Sequence, residues 1–222
     1  SKAKPGEMSM AHNGVLFLDE LPEYPRNVLE TLRQPLEDKV ITVARAAMTV
    51  TYPANFMLVA SMNPCPCGNY GSQVKECTCT LPQIQKYLAR LSGPLLDRID
   101  INIEVDNIDY KDLQSDELSE SSAEVKKRVD AARRIQSERF KDEGIYCNAQ
   151  MGASQIKKYC KTDEKSQRLL ESCFLKLKLS ARAYNRILKV ARTIADLSGE
   201  ENISSMHVAE AIQYRSNDIL KV

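Results

Sequence analysis

Gly14-Val15-Leu16-Phe17-Leu18-Asp19-Glu20 is the stretch on which the rest of the sequence turns. Four apolar residues that include Val and Phe, following Asn13-Gly14, make a run too short for a helix; they fit a strand buried on both faces, as in a parallel sheet. The two acids that close it would stand at the carboxyl edge of that sheet, where open α/β sheets bind ligands. An Asp in that place can hold Mg²⁺ through water while the next Glu polarises an attacking water. The same pair also serves as an ordinary polar end to a strand, and the heptapeptide alone does not separate the two.

Downstream, Pro25 suits a first helical turn, with Val28, Leu29, Leu32 and Leu36 at helical spacing. Val40 to Tyr52 alternates in two halves, which predicts a β-hairpin with Arg45 near its tip. Phe56 to Ala60 reads as a second buried strand and ends at Ser61-Met62-Asn63-Pro64. Asn63 both donates and accepts, so it can orient a water against a terminal phosphate; it also fits a plain Asn-Pro turn. Ile99 to Val105 is a third candidate strand, entered through Leu95-Leu96-Asp97-Arg98. Arg98 suits an ion pair with Asp97 or Asp100, or an arginine finger offered to a neighbouring subunit's γ-phosphate.

Residues 108–120 are polar and acidic and read as a linker, dividing the chain into an α/β part over 1–110 and a helical part over 111–222. Ser121 and Glu124 have the spacing of a capping box ahead of Val125, Val129, Ala132, Ile135 and Phe140. Further helices are expected at about 154–160, 163–178, 180–198 and 205–215, the third carrying Tyr184, Ile187, Leu188, Ala191 and Ile194 on one face, with Gly199 as its C-cap. Arg182 lies at the start of that helix, where position favours neither a surface nor a functional role. The fold class is therefore α/β with a β-hairpin, followed by an all-α bundle.

Thirty-one Lys and Arg against thirty Asp and Glu give a net charge of +1, so no global basic field marks a nucleic-acid partner, and any such contact has to be local. No apolar run approaches a membrane span and no signal pattern opens the sequence, which points to the cytoplasm. Seven cysteines are an odd number for a disulfide framework. Cys65, Cys67, Cys77 and Cys79 form two C-x-C pairs joined by a short loop, a spacing that suits a structural tetrahedral Zn²⁺ site and also free thiols or adventitious disulfides. Cys173 shares an apolar stripe with Leu169, Leu170 and Leu177 and is expected in the core; His12 and His207 show no partner pattern.

Strand-Asp-Glu, strand-Asn, Arg before a strand and Arg on a later helix is the order of parts in an AAA+ module. The runs Pro5–Leu21, Leu32-Arg-Gln-Pro-Leu-Glu37, Met62-Asn-Pro-Cys-Pro-Cys-Gly68, Ser92-Gly-Pro-Leu-Leu-Asp-Arg-Ile-Asp100 and Leu179–Leu197 closely resemble the Mg-chelatase-like AAA+ ATPase family of the ComM/YifB type. The resemblance implies Walker B at Asp19 and Glu20, sensor 1 at Asn63, the arginine finger at Arg98 and sensor 2 at Arg182. It also implies that the hairpin is the pre-sensor-1 hairpin, with Arg45 toward a central pore where helicase relatives touch DNA. A homo-hexameric ring that uses ATP and Mg²⁺ and remodels DNA in the manner of a branch-migration helicase is the whole-protein function it implies. A chelatase-type motor for metal insertion and a non-catalytic zinc-stapled scaffold are the alternatives.

One departure stands out. The G-x-x-x-x-G-K-[ST] phosphate loop of the family is absent from these 222 residues. The chain is accordingly read as a piece that begins just before Walker B, without the family's Lon-protease-like N-terminal domain. By itself it is expected to hydrolyse no ATP and to bind nucleotide weakly.

Overall fold

A computed structural model of the chain describes residues 4–45, 48–105, 119–177 and 179–216. Its contacts divide into one unit ending at Ile99 and another starting at Asp100.

In the first unit, β1 (Val15–Leu18) lies parallel to β4 (Met57–Ala60), with Val15 opposite Met57 and Leu18 opposite Ala60. Leu16 and Leu18 turn toward a core of Leu21, Leu29, Leu32, Leu91 and Leu95. The other face is bare: Val15 and Phe17 are 58% and 59% exposed, and Met57 and Val59 extend the row. The expected burial of both faces is thus corrected. A parallel pair needs cover above and below, and no described residue covers this side.

Between the two strands the chain forms α1 (Glu7–Met10) upstream, a 3₁₀ turn at Leu21–Glu23, α2 (Arg26–Thr31) and α3 (Arg33–Asp38). The single helical pattern over 28–36 is broken at Leu32, which ends one helix and begins the next. Pro35 explains the break, because it has no N–H for the Thr31 carbonyl one turn back. The hairpin forms as expected, β2 (Val40–Arg45) antiparallel to β3 (Met48–Pro53), with Arg45 opposite Met48. Its tip at 46–47 and the Arg45 side chain lie outside the described residues. α4 (Leu81–Leu88) opens on a capping box, in which Gln83 Oε1 accepts from the Thr80 N–H at 2.8 Å, and α5 (Gly93–Leu96) starts from Ser92.

The third expected strand does not form. Residues 101–105 carry no ladder, Ile101, Ile103 and Val105 are exposed, and the Asn102 N–H donates to the Tyr214 carbonyl at 2.8 Å. Residues 101–105 join neither of the two described two-stranded sheets, so the alternation has no ladder to hold it extended. The predicted linker falls almost entirely on residues 106–118, outside the described set.

The second unit is helical: α6 (Ser122–Arg139), α7 (Ala153–Tyr159), α8 (Glu164–Lys176), α9 (Ala181–Leu197) and α10 (Ser205–Ser216), with a 3₁₀ turn at Asn148–Gln150. The Ser121–Glu124 box is closed in both directions, and α9 buries Ile187, Leu188 and Ala191 as its periodicity requires. Ile187 and Leu188 each contribute roughly 1.5–3 kcal/mol by leaving water. Gly199 ends α9 at φ +71°; its N–H donates to the Asp196 carbonyl (3.2 Å) and that of Glu200 to the Ala195 carbonyl (2.8 Å), a Schellman pair. On α6 the expected apolar face is only half used. Ala132 and Gln136 are buried, whereas Val125, Val129 and Ile135 stay exposed, as do all residues from Ser121 to Val129. Cys173 and Leu169 pack against the core as expected, while Leu177 sits at its exposed margin. His207 does have a role: at the third position of α10, its Nδ1 accepts from the Ser204 N–H at 3.1 Å, in the place a Glu takes in a capping box.

Candidate functional site

The parallel register brings the ends of β1 and β4 side by side. Asp19 and Ser61 each follow a paired residue, Leu18 and Ala60, so their side chains meet. The Ser61 hydroxyl donates to Asp19 Oδ1, and the Glu20 N–H reaches the same oxygen at 3.0 Å. Glu20 has left-handed backbone (φ 51°, ψ 49°), costing about 1 kcal/mol for a residue with a Cβ, and this turns the chain from the strand into the Leu21–Glu23 turn. The Leu21 N–H then returns to the Ser61 carbonyl at 2.9 Å, closing the corner. Two exposed carboxylates therefore stand at one sheet edge, with Asn63 two residues beyond Ser61 on the neighbouring strand's exit.

Ser61 was not singled out by the sequence pattern. Pairing the two strands in parallel was the signal that would have found it, because the residue after each strand is then equivalent. Tyr87 is a second such residue: it is buried in the cluster against which Met62, the neighbour of Asn63 in the chain, packs. Burial, then the charge of Glu23, pushes the Tyr87 phenol up.

Arg98 is folded back into its own unit. Its side chain is 9% exposed, Nη2 ion-pairs with Glu37 and Nη1 donates to the Pro94 carbonyl at 2.6 Å. The salt bridge joins the Leu32–Glu37 and Ser92–Asp100 runs, which the sequence showed only as separate motifs. Asp100 is taken by Arg186 at 2.5 Å within the second unit. Arg182 also belongs to that unit, on the first turn of α9, and is exposed. Arg45 is placed only by its backbone, at the last position of β2.

The four clustered cysteines do come together. Cys65 Sγ lies 3.4 Å from Cys67 Sγ and 3.7 Å from Cys77 Sγ, Cys67 and Cys77 are 3.6 Å apart, and the four sulfurs lie within 4.8 Å of one another. None is in a disulfide. Backbone hydrogen bonds from Asn69 and Thr78 pull the Cys67 thiol down to about 5. At Cys77 a backbone hydrogen bond from Cys79 favours the thiolate, yet burial and the neighbouring Cys67 and Cys65 push it up to about 12; burial raises Cys79 as well. A cavity of about 480 Å³, bounded in part by Cys67, Cys79, Lys86, Tyr87 and Arg90, opens beside the cluster.

A partial α/β core with acids on one parallel strand end and Asn beyond the next, followed by a helical unit, is the architecture of part of an AAA+ module. The model for "Magnesium chelatase, subunit ChlI" matches residues 1–113, and that for its C-terminal region matches 119–215. Among curated relatives, competence protein ComM of Haemophilus influenzae is 49% identical over 215 residues, which is 96% of this chain and 41% of that protein. The uncharacterised YifB proteins of Salmonella typhimurium and Escherichia coli are 46% and 45% identical, each over 98% of this chain and 42% of their own length. The chain belongs to the Mg-chelatase-like family, and it spans about two fifths of the length of the relatives it matches. No helix among the described residues is long and apolar enough to cross a membrane.

Proposed function

We propose that this chain is the water-activating and lid portion of an ATP-driven ring motor. Asp19 holds Mg²⁺ through water, Glu20 polarises the attacking water and Asn63 orients it against the γ-phosphate. Arg98 is offered to a neighbouring subunit's phosphate; to get there it exchanges the Glu37 carboxylate for another anion. Arg182 approaches from the helical unit. The observation that carries this reading is the adjacency of the two strand ends, Asp19 held by Ser61 at the corner that Glu20 turns. ATP and Mg²⁺ are the cofactors it calls for, with a structural Zn²⁺ at the four thiols. A homo-hexamer acting on branched DNA in the cytoplasm, with Arg45 as the pore-side DNA contact, follows from the family resemblance rather than from geometry.

The test is made in the whole protein. Glu20→Gln should lower ATP hydrolysis by roughly 10²–10³-fold while leaving ATP affinity within about threefold, as expected for loss of a general base. Hydrolysis within about threefold of wild type would refute the assignment. In the same experiment Arg45→Glu should weaken binding of branched DNA roughly tenfold, and unchanged binding removes the hairpin as the contact.

A further inference from the structure

We infer that Cys65, Cys67, Cys77 and Cys79 form a closed tetrathiolate centre for a single tetrahedral divalent cation, zinc above all, and that the bound ion fixes the position of Asn63. The metal half stands by itself. The positioning half rests on the reading of Asn63 as the water-orienting residue.

Sulfur spacing decides the ligand class. A Zn–S bond of about 2.3 Å in a regular tetrahedron sets the sulfurs roughly 3.8 Å apart, whereas a disulfide requires about 2.05 Å. The separations among Cys65, Cys67 and Cys77, 3.4, 3.6 and 3.7 Å, lie near the tetrahedral edge, and Cys79 Sγ lies within 4.8 Å of these three. A backbone donor adds to the surroundings a thiolate centre needs: the Tyr70 N–H reaches Cys65 Sγ at 3.3 Å. Four sulfur ligands leave no position for water or substrate, so the ion is structural.

What the ion would clamp follows from where the pairs sit. Cys65 and Cys67 come straight after Asn63, and Cys77 and Cys79 lead into the Thr80 cap of α4. The ion therefore fastens the exit of β4 to the start of α4. At the far end of α4, Tyr87 and Leu88 belong to the buried cluster against which Met62 packs, and Gly68, at φ +78°, lies under the Asn63 side chain; a Cβ there would be 3.8 Å from Oδ1. The apolar packing around this segment is small, with only Cys65, Ile84, Tyr87 and Leu88 as its buried members. Such a cluster is too slight to order the loop without a staple.

The experiment uses the 222-residue chain, prepared in reductant and reconstituted with zinc. Elemental analysis should find about one zinc per chain, and cobalt exchanged into it should give the intense thiolate-to-cobalt absorption of a tetrahedral sulfur site. Cys67→Ser and Cys77→Ser should each abolish that signal, and Cys173→Ser should keep it. Less than about a tenth of an equivalent of zinc, with no cobalt–thiolate band, overturns the centre. Hydrogen exchange then reads the second half: chelation should speed exchange of the Asn63 amide roughly tenfold while α9 is unchanged. Metal binding with Asn63 exchange unaltered overturns the positioning role alone. None of these readouts depends on hydrolysis, so active Glu20→Gln protein with an intact centre would remove the motor assignment and leave the metal site standing.

Discussion

Replacing Asp196 with alanine should be among the most damaging single changes in the helical unit. Its side chain is fully buried and is the only carboxylate among the groups that close on it. Arg139 binds it through both Nη atoms, Arg192 Nε donates at 3.0 Å and Asn148 Nδ2 at 2.7 Å. Arg192 is 2% exposed, and its Nη2 and Nη1 each donate to a backbone carbonyl, those of Glu200 and Glu201, both at 2.6 Å. Alanine leaves two guanidiniums facing each other with no anion. Arg139, 13% exposed at its side chain, can recover some water, while Arg192 cannot. Breaking a buried pair of this kind costs about 3–5 kcal/mol. With a urea slope of about 2 kcal/mol per molar, the midpoint should fall by roughly 2 M. Helical circular dichroism would follow the transition, checked by hydrogen exchange in α9 because two units need not unfold together. Asp196→Asn keeps the shape and one acceptor and should cost less. Glu164→Ala, which breaks an exposed pair with Arg168, serves as the control and should cost under about 0.5 kcal/mol. A loss below about 1 kcal/mol for Asp196→Ala would refute the account of a buried charge network.

Two further outcomes follow from local geometry. Glu143 accepts from Lys158, Tyr159 and Gln155, and these bonds, Lys158 first, hold its carboxyl at about 2 against an ordinary 4.5. A depressed carboxyl stabilises the fold above pH 4.5 and loses that contribution as pH falls toward 2, so Glu143→Gln should flatten the melting temperature across that window; an unchanged acid profile contradicts it. Gly199→Ala meets open space but keeps φ at +71°, so it should cost about 1 kcal/mol from backbone strain alone, measured by denaturant unfolding; no loss would mean that the turn relaxes.

The sequence was most legible where a local rule suffices. The Ser121–Glu124 box, the α9 stripe, the hairpin and the Gly199 cap each depend on residues a few positions apart, and all appear as expected. It was least legible where a partner decides the outcome. Ile101, Ile103 and Val105 alternate correctly for a strand but join neither described sheet. Val125 and Val129 are spaced for a core that α6 reaches only in its second half. At the site, the acids, Asn63 and the cysteines could be picked out as residue types. Ser61 and Glu37 could not, since their roles come from pairing across 42 and 61 positions of chain. The Asp196 network escaped for the same reason: nothing in the spacing of Arg139, Asn148 and Asp196 shows that they share one buried point.

The ladder between β1 and β4 also determines which changes of length the chain can absorb. Asp19 and Ser61 meet because Val15 to Leu18 and Met57 to Ala60 advance in step. The hairpin between them sits outside that count, so residues added or removed at its tip leave the corner unchanged. One residue lost within 57–60 would instead place Met62 where Ser61 now holds Asp19, and one gained would place Ala60 there, each turning the following side chains to the opposite face. Natural variants of this protein should therefore vary in length at 46–47 and keep an invariant count from Ala54 to Asn63.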